Sequence, residues 1–283
     1  MSRFTIVNNE LVPEDQASLF ITDLSIQRGY GIFDYFKTMD GSPVFLDDHL
    51  DRFYHSAAEM QLPVAETRDE LKELLNRLME KNNIPDSGIR ITLTGGYSPD
   101  GYNVASPNLI VTQAPFNVNR EAQLSGITLM TFSHQRQLSS IKTLDYLMAI
   151  RLQPLIRRKN ADDVLYHNND MITECPRANF FMISKDGKLQ TPARNILKGV
   201  IRKQILEFAG EFITAEEKDI TLTDVREAQE AFITSTTKNI LPVVQINDQV
   251  IGTGRPGPKT LKLVEELNRR IITSTRPADT AAM

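Results

Sequence analysis

The chain has 283 residues, 41% of them hydrophobic and 24% charged, with 32 Lys and Arg against 36 Asp and Glu and a formal charge of −4. That length and apolar share bury a sizeable core and fall where chains divide into two domains, while the acidic balance and scattered Lys and Arg argue against a nucleic-acid partner. A single cysteine, Cys175, excludes an internal disulfide and a thiolate cage, four separated histidines lack ligand spacing, and neither an apolar signal core nor a membrane-length apolar run is present, so no metal, no membrane and a cytoplasmic location are expected.

In chain order, Phe4 to Val7 reads as a strand, and Leu46 to Met60 and Arg68 to Lys81 carry apolar residues at helical spacing, with Asp47 and Asp48 placed for a helix start. Ile89 to Leu93 and Asn108 to Thr112 are β-branched or alternating runs bounded by turn residues, hence strands. Ala114 to Glu121 breaks the periodicity and is the expected linker. The predicted domains are therefore 1–115, a linker over 116–122, and 123–283. Beyond it, the strand candidates Ile127 to Phe132, Ala161 to Tyr166, Asn179 to Ile183 and Ala231 to Thr234 mix with helical stretches at Asp145 to Arg158, Gly199 to Ala209 and Lys259 to Arg270. The order is that of an α+β chain without a regular βα repeat. From Thr273 the tail is small and polar, and disorder is expected there.

Three features could hold a phosphate. Arg52 lies three residues after His49, so the two share a helix face. Gly199 opens a helix through Val200 and Ile201, whose backbone amides suit an anion. Ser235, Thr236 and Thr237 end a strand with three hydroxyls. Each alone has a plainer explanation: Arg52 as a surface partner of Asp48, Gly199 as a packing glycine, the hydroxyls as strand-end caps.

Five segments taken together are more specific. Phe45-Leu46-Asp47-Asp48-His49-Leu50-Asp51-Arg52-Phe53, Ile141-Lys142-Thr143-Leu144-Asp145-Tyr146, Ile172-Thr173-Glu174-Cys175-Pro176-Arg177-Ala178-Asn179-Phe180-Phe181, Ile196-Leu197-Lys198-Gly199-Val200-Ile201-Arg202 and Thr234-Ser235-Thr236 resemble, in order and over nearly the whole chain, the motifs of class IV aminotransferases. These are the fold type IV pyridoxal-phosphate enzymes, including branched-chain aminotransferases, D-amino-acid transaminases and aminodeoxychorismate lyases. The resemblance implies a two-domain fold with a small N-terminal and a larger C-terminal domain, pyridoxal 5'-phosphate as cofactor, and a homodimer acting on amino acids and 2-oxo acids. It makes Lys142 the Schiff-base lysine and proton carrier, and Glu174 the carboxylate facing the pyridine nitrogen. Arg52, Gly199, Val200, Ile201, Ser235 and Thr236 fall on the phosphate cup, and Tyr146 beside the ring, although a core tyrosine or an exposed turn glutamate would explain Tyr146 or Glu174 equally simply.

The chain also departs from the family pattern. Ile201 stands where a threonine is usual, and Cys175, followed by Pro176 and Arg177, replaces a common glycine. On the substrate side the resemblance points to Arg28, Phe33, Tyr35, Arg90, Arg177 and Thr237. Arg90 aligns with an arginine that branched-chain enzymes use for a distal carboxylate. The arginine and histidine of D-amino-acid transaminases just beyond that strand are replaced by Gly95 to Tyr102. Three arginine forks facing one pocket would suit glutamate or 2-oxoglutarate. The surplus of arginine leans toward D-amino acids, with an L-branched-chain aminotransferase or an aminodeoxychorismate-type lyase as alternatives.

Overall fold

The computed structural model describes residues 3–275. By its contacts the chain forms two units, one of Met1–Asn117 with Ile141–Asp145 and Ile271–Met283 as far as these are described, the other of Val118–Ser140 and Tyr146–Arg270. Chain order alone places Lys142 beyond the linker, but its segment returns to the first unit.

The first unit contains β1 (Phe4–Val7), β2 (Glu10–Pro13), α1 (Leu24–Arg28), β3 (Gly31–Met39), β4 (Ser42–Pro43), α2 (Leu46–Glu59), α3 (Arg68–Asn82), β5 (Ser87–Thr94) and β6 (Leu109–Pro115). Its six strands form an antiparallel sheet in the order β2-β1-β6-β5-β3-β4. Alternation sends Ile32 and Phe36 of β3 and Ile89 and Ile91 of β5 to one face, where they meet Leu50 and Phe53 of α2 and Leu71, Leu75 and Leu78 of α3 in one core. α3 starts at a full capping box, Thr67 with Glu70. Phe33, Tyr35, Arg90 and Thr92 take the opposite face.

The second unit holds α4 (Arg120–Ser125), β7 (Ile127–Ser133), α5 (Leu147–Arg151), α6 (Gln153–Arg158), β8 (Asp163–Asn168), β9 (Met171–Ile172), β10 (Glu174–Cys175), β11 (Ala178–Ile183), β12 (Leu189–Pro192), α7 (Val200–Ala209), β13 (Ala215–Lys218), α8 (Leu222–Arg226), β14 (Glu230–Ser235), β15 (Asn239–Ile246), β16 (Gln249–Val250) and, as far as Arg270, α9 (Pro258–Thr275). Its sheet runs β13-β12-β11-β14-β15-β7-β8-β9, with β10 on β11 and β16 on β15. Parallel pairs, β12 with β13 and β7 with both β15 and β8, are mixed with antiparallel ones. The mixed α and β architecture expected from the order of elements is therefore present.

Three local expectations are corrected. The linker is shorter than expected, because Ala114 and Pro115 still belong to β6 and Asn119 is the N-cap of α4, accepting from Ala122 N at 3.1 Å. Asp145 to Arg158 is two helices, since Pro154 has no N–H to continue the first. α9 continues through Thr273 to Thr275, and the rest of the expected disordered tail lies outside the described residues. No helix among the described residues is long and apolar enough to cross a membrane.

Candidate active site

In the first unit the chemistry starts with an irregularity in β3. Asp34 lies between Ile32 and Phe36 in the alternation and so points into the helix-covered face, where a carboxylate must be paired. α2 supplies both partners from one face: His49 Nδ1 is 2.7 Å from Asp34 Oδ1, while Arg52 donates from Nε to Oδ2 at 2.7 Å and from Nη2 to Oδ1 at 2.9 Å. Burial alone would push Asp34 up, but the charge of Arg52 and the hydrogen bonds from His49 and Arg52 outweigh it and hold the carboxyl well below the usual range. Burial pushes His49 down against the pull of Asp34, and the charge of Lys142 acts on the same ring. The imidazole is then neutral, its proton assigned to Nδ1 facing the carboxylate, and Nε2 is a buried acceptor without a hydrogen bond. Arg52 thus turns to Asp34 and not to Asp48. Its Nη1 is left over by that pairing.

Ile141–Asp145 lies along the same strand. Phe33 N–H donates to the Lys142 carbonyl at 3.0 Å, Leu144 N–H donates to the Gly31 carbonyl at 3.0 Å, and Thr143 bridges to Ile32. On the face away from the core, Lys142 Nζ stands 4.5 Å from the centre of the Phe33 ring and the Arg90 guanidinium 3.9 Å from the same ring. Three of the expected residues are therefore brought together, with Phe33 as a shared cation-binding platform. Tyr35, opposite Arg90 in the ladder, lies across Gly88, where any Cβ would collide with its phenol oxygen.

Arg28 is held elsewhere in this unit, at the exposed end of α1. Asp23 anchors that helix with four hydrogen bonds: Oδ1 accepts from Ser25 N at 2.8 Å and Ser25 Oγ at 2.6 Å, and Oδ2 from Thr94 Oγ1 and Asn108 Nδ2, each at 2.7 Å. Leu24 N–H donates to the Gly96 carbonyl at 3.0 Å and Ser98 N–H to the Thr22 carbonyl at 3.2 Å, so two surface loops are tied into one piece. Arg28 sits beside Gly101 and donates to the Gln27 carbonyl at 3.2 Å. It does not join the Phe33 group in this arrangement.

In the second unit, Glu174 is buried and not an exposed turn residue. Its Oε1 accepts from Arg136 Nε at 3.0 Å and its Oε2 from the Leu197 amide at 2.9 Å. The next residue, Cys175, is fully buried, which pushes its thiol up, and Pro176-Arg177 forms the two-residue turn from β10 to β11 with Arg177 exposed at its tip. Asn179 secures the following loop: Nδ2 donates to the Leu197 carbonyl at 2.7 Å and Oδ1 accepts from the Gly199 amide at 3.1 Å. A Cβ on residue 199 would collide with that Oδ1. The Gly199 amide is thereby used within the protein.

α7 begins with Val200 and Ile201 and has no side-chain cap, so the first-turn amides are its unsatisfied donors. Ser235 Oγ is 3.2 Å from Thr237 Oγ1, which accords with strand-end capping, whereas the Thr236 hydroxyl is engaged by no described residue. Tyr146, partly buried, is the N-cap residue of α5. In the second unit the Val200 and Ile201 amides and the Thr236 hydroxyl, and in the first unit Arg52 Nη1, are each donors of the kind that hold a phosphate, so the chemistry of each fits the cofactor's anionic end.

Asp34, Arg136 and Asn179 have no role that follows from the sequence, and His49 stands out there only for sharing a face with Arg52. The acidic residue at an inward position of β3 is a signal that could have found Asp34. Nothing in spacing singles out Arg136.

Residues 31–246 match the amino-transferase class IV family. A D-alanine aminotransferase of Listeria monocytogenes is 34% identical over 281 residues, covering 93% of this chain and 96% of the relative. The branched-chain amino acid aminotransferase of Escherichia coli superposes with a TM-score of 0.90 at 25% identity, covering 98% of this chain and 97% of that one. The branched-chain amino acid aminotransferase of Thermoproteus uzoniensis, solved with norvaline, superposes with a TM-score of 0.88 at 24% identity, covering 97% of this chain and 96% of that one. With the family match spanning most of its length, the chain belongs to the class IV aminotransferases, a family of pyridoxal-phosphate-dependent transaminases.

Proposed function

We propose that the chain transfers an amino group from a D-amino acid to a 2-oxo acid, with glutamate and 2-oxoglutarate as one pair, using pyridoxal 5'-phosphate held by its own residues. The observation that carries the reading is the grouping of Lys142 and Arg90 on the Phe33 ring, an amine beside a carboxylate-binding fork. The D-alanine aminotransferase relatives support the D choice. Arg90 on a fold close to branched-chain enzymes is the specific feature that favours an L-branched-chain donor as the second reading.

The cofactor, when bound, supplies an electrophilic carbon and a ring that takes up the electrons released at the substrate's Cα. Lys142 would hold it through its amine and, when that amine is free, would carry the Cα proton on Nζ. Asp34 orients Arg52, whose Nη1 would bind the phosphate, as would the Val200 and Ile201 amides and Thr236, with Gly199 and Ser235 next to them in the chain. Ile201 contributes backbone only. Glu174 would present its charge to the ring nitrogen and Tyr146 would pack by the ring. Tyr35, Thr237, Arg177 and Arg28 would serve the substrate side, with Arg28 supplied from the loop of a second copy. The test is a half-reaction panel: the purified protein should be yellow and lose that absorbance with D- but not L-amino acids, and Lys142→Ala should retain no borohydride-reducible cofactor. Turnover by that variant at the wild-type rate would sink the assignment, and bleaching by L-leucine alone would select the second reading.

The working form is a homodimer. On the first unit's paired loops Phe20 is 67% exposed, Ile21 80% and Tyr102 83%, and on α5 Leu147 and Ile150 are 76% and 70% exposed, apolar area that a second copy would cover. Sedimentation should give twice the 32.0 kDa chain mass; a monomer at working concentration would remove this part of the reading.

A further inference from the structure

Glu174 has both carboxylate oxygens occupied before any ligand is considered, one by Arg136 Nε and one by the Leu197 amide. Arg136 is itself anchored: Nη2 donates to the Ser139 carbonyl at 2.6 Å, and Gln135 Nε2 donates to the carbonyls of Arg136 and Asn195 at 3.2 and 3.3 Å. Only 11% of the arginine side chain and 6% of the glutamate's reach solvent, so the pair acts in a poorly screened environment. The titratable groups that face it are Tyr166 on β8 and Cys175, both pushed up by burial and hence neutral near pH 7, with Asp163 near both and paired to Lys238 at 3.5 Å. Arg136 is a cation in direct contact with the carboxylate.

A carboxylate taken out of water becomes more basic, and an adjacent guanidinium, which does not give up its own proton, reverses that. Basicity matters here because a glutamate facing a pyridine nitrogen shares one proton with it. If the glutamate is the stronger base, the proton moves to oxygen and the ring becomes neutral. If the glutamate is held weak, the proton remains on nitrogen and the ring keeps its pull on electrons. We propose that Arg136 is a positioning residue that holds Glu174 as an oriented, weakly basic carboxylate, so that the proton shared with the cofactor's ring nitrogen stays on the nitrogen. The inference rests on the reading above, in which Glu174 faces that nitrogen.

The test uses holoenzyme loaded with cofactor labelled with 15N in the ring, comparing the ring-nitrogen chemical shift of wild type, Arg136→Gln, Arg136→Lys and Glu174→Gln. Wild type should show a protonated ring, and Arg136→Gln a shift toward neutral pyridine. Its kcat should fall about tenfold while KM for the amino acid stays within about twofold, the pattern of an interaction that acts on the transition state and not on binding. Arg136→Lys keeps the charge with a single compact donor and should fall between the two. An Arg136→Gln shift equal to wild type, with only stability reduced, overturns the proposal; if that variant does not fold, identical shifts in wild type and Arg136→Lys overturn it. A wild-type shift that does not respond to Glu174→Gln would instead remove the assignment of Glu174 to the ring.

Discussion

Asp34 and Glu174 are both buried carboxylates paired with an arginine, and they differ in what the pairing leaves over. Asp34 takes His49 and two nitrogens of Arg52, so the protein surrounds the acid and leaves part of the cation, Nη1, for a ligand. At Glu174 both members have further contacts, Arg136 to the Ser139 carbonyl and Glu174 from the Leu197 amide, and in the proposed reading the acid faces the ligand. The same pair of residue types can therefore offer a ligand either sign of charge, depending on which member faces it.

That contrast predicts unequal consequences. The largest should be in Asp34→Ala, which strands a buried arginine and histidine and is expected to cost about 3–5 kcal/mol in denaturant unfolding. Glu174→Gln should cost less, about 1–3 kcal/mol, because Arg136 keeps the Ser139 carbonyl and a glutamine oxygen can still accept from one donor. Its turnover should nonetheless fall by roughly a hundredfold, a scale typical of losing one preorganised electrostatic contact. Equal stability losses would erase the distinction. The smallest effect lies in pH dependence. His49 is depressed in the folded protein, so its contribution is complete above its ordinary range near 6.5 and is lost as pH falls below it, while the unfolded chain takes up the proton. Asp34, also depressed, keeps its contribution until pH drops through the ordinary aspartate range. Between pH 7.5 and 5.5, wild type should lose at most about 1.4 kcal/mol per pH unit through this histidine. His49→Asn should flatten that slope, and an unchanged slope would place the titration elsewhere.

The elements with clean periodicity were legible: α2, α3, β1 and β5 follow from spacing alone. β3 is not legible as a strand, because Asp34 and Lys37 interrupt its apolar pattern, and those interruptions mark its inward ion pair and a buried lysine whose pKa desolvation lowers to about 8. Asn119 looked like a loop residue because the same side chain serves turns and helix caps. For the proposed site, motif order singles out Arg52 and Glu174 but not their partners. Asp34 precedes Arg52 by eighteen positions and Arg136 precedes Glu174 by thirty-eight, separations that no local pattern encodes.

The Asp23 anchor has a consequence for how the loop carrying Arg28 moves. Its oxygens hold Ser25, Thr94 and Asn108, which join α1 to the ends of β5 and β6, so opening this surface loop requires breaking contacts made by the sheet itself. Amide hydrogens of Leu24 and Ser25 should then exchange with solvent at the slow pace of the strands behind them, although they lie next to some of the most exposed apolar residues of the unit. The arginine at the end of α1 should then move only as a side chain, on a base that exchanges as core does.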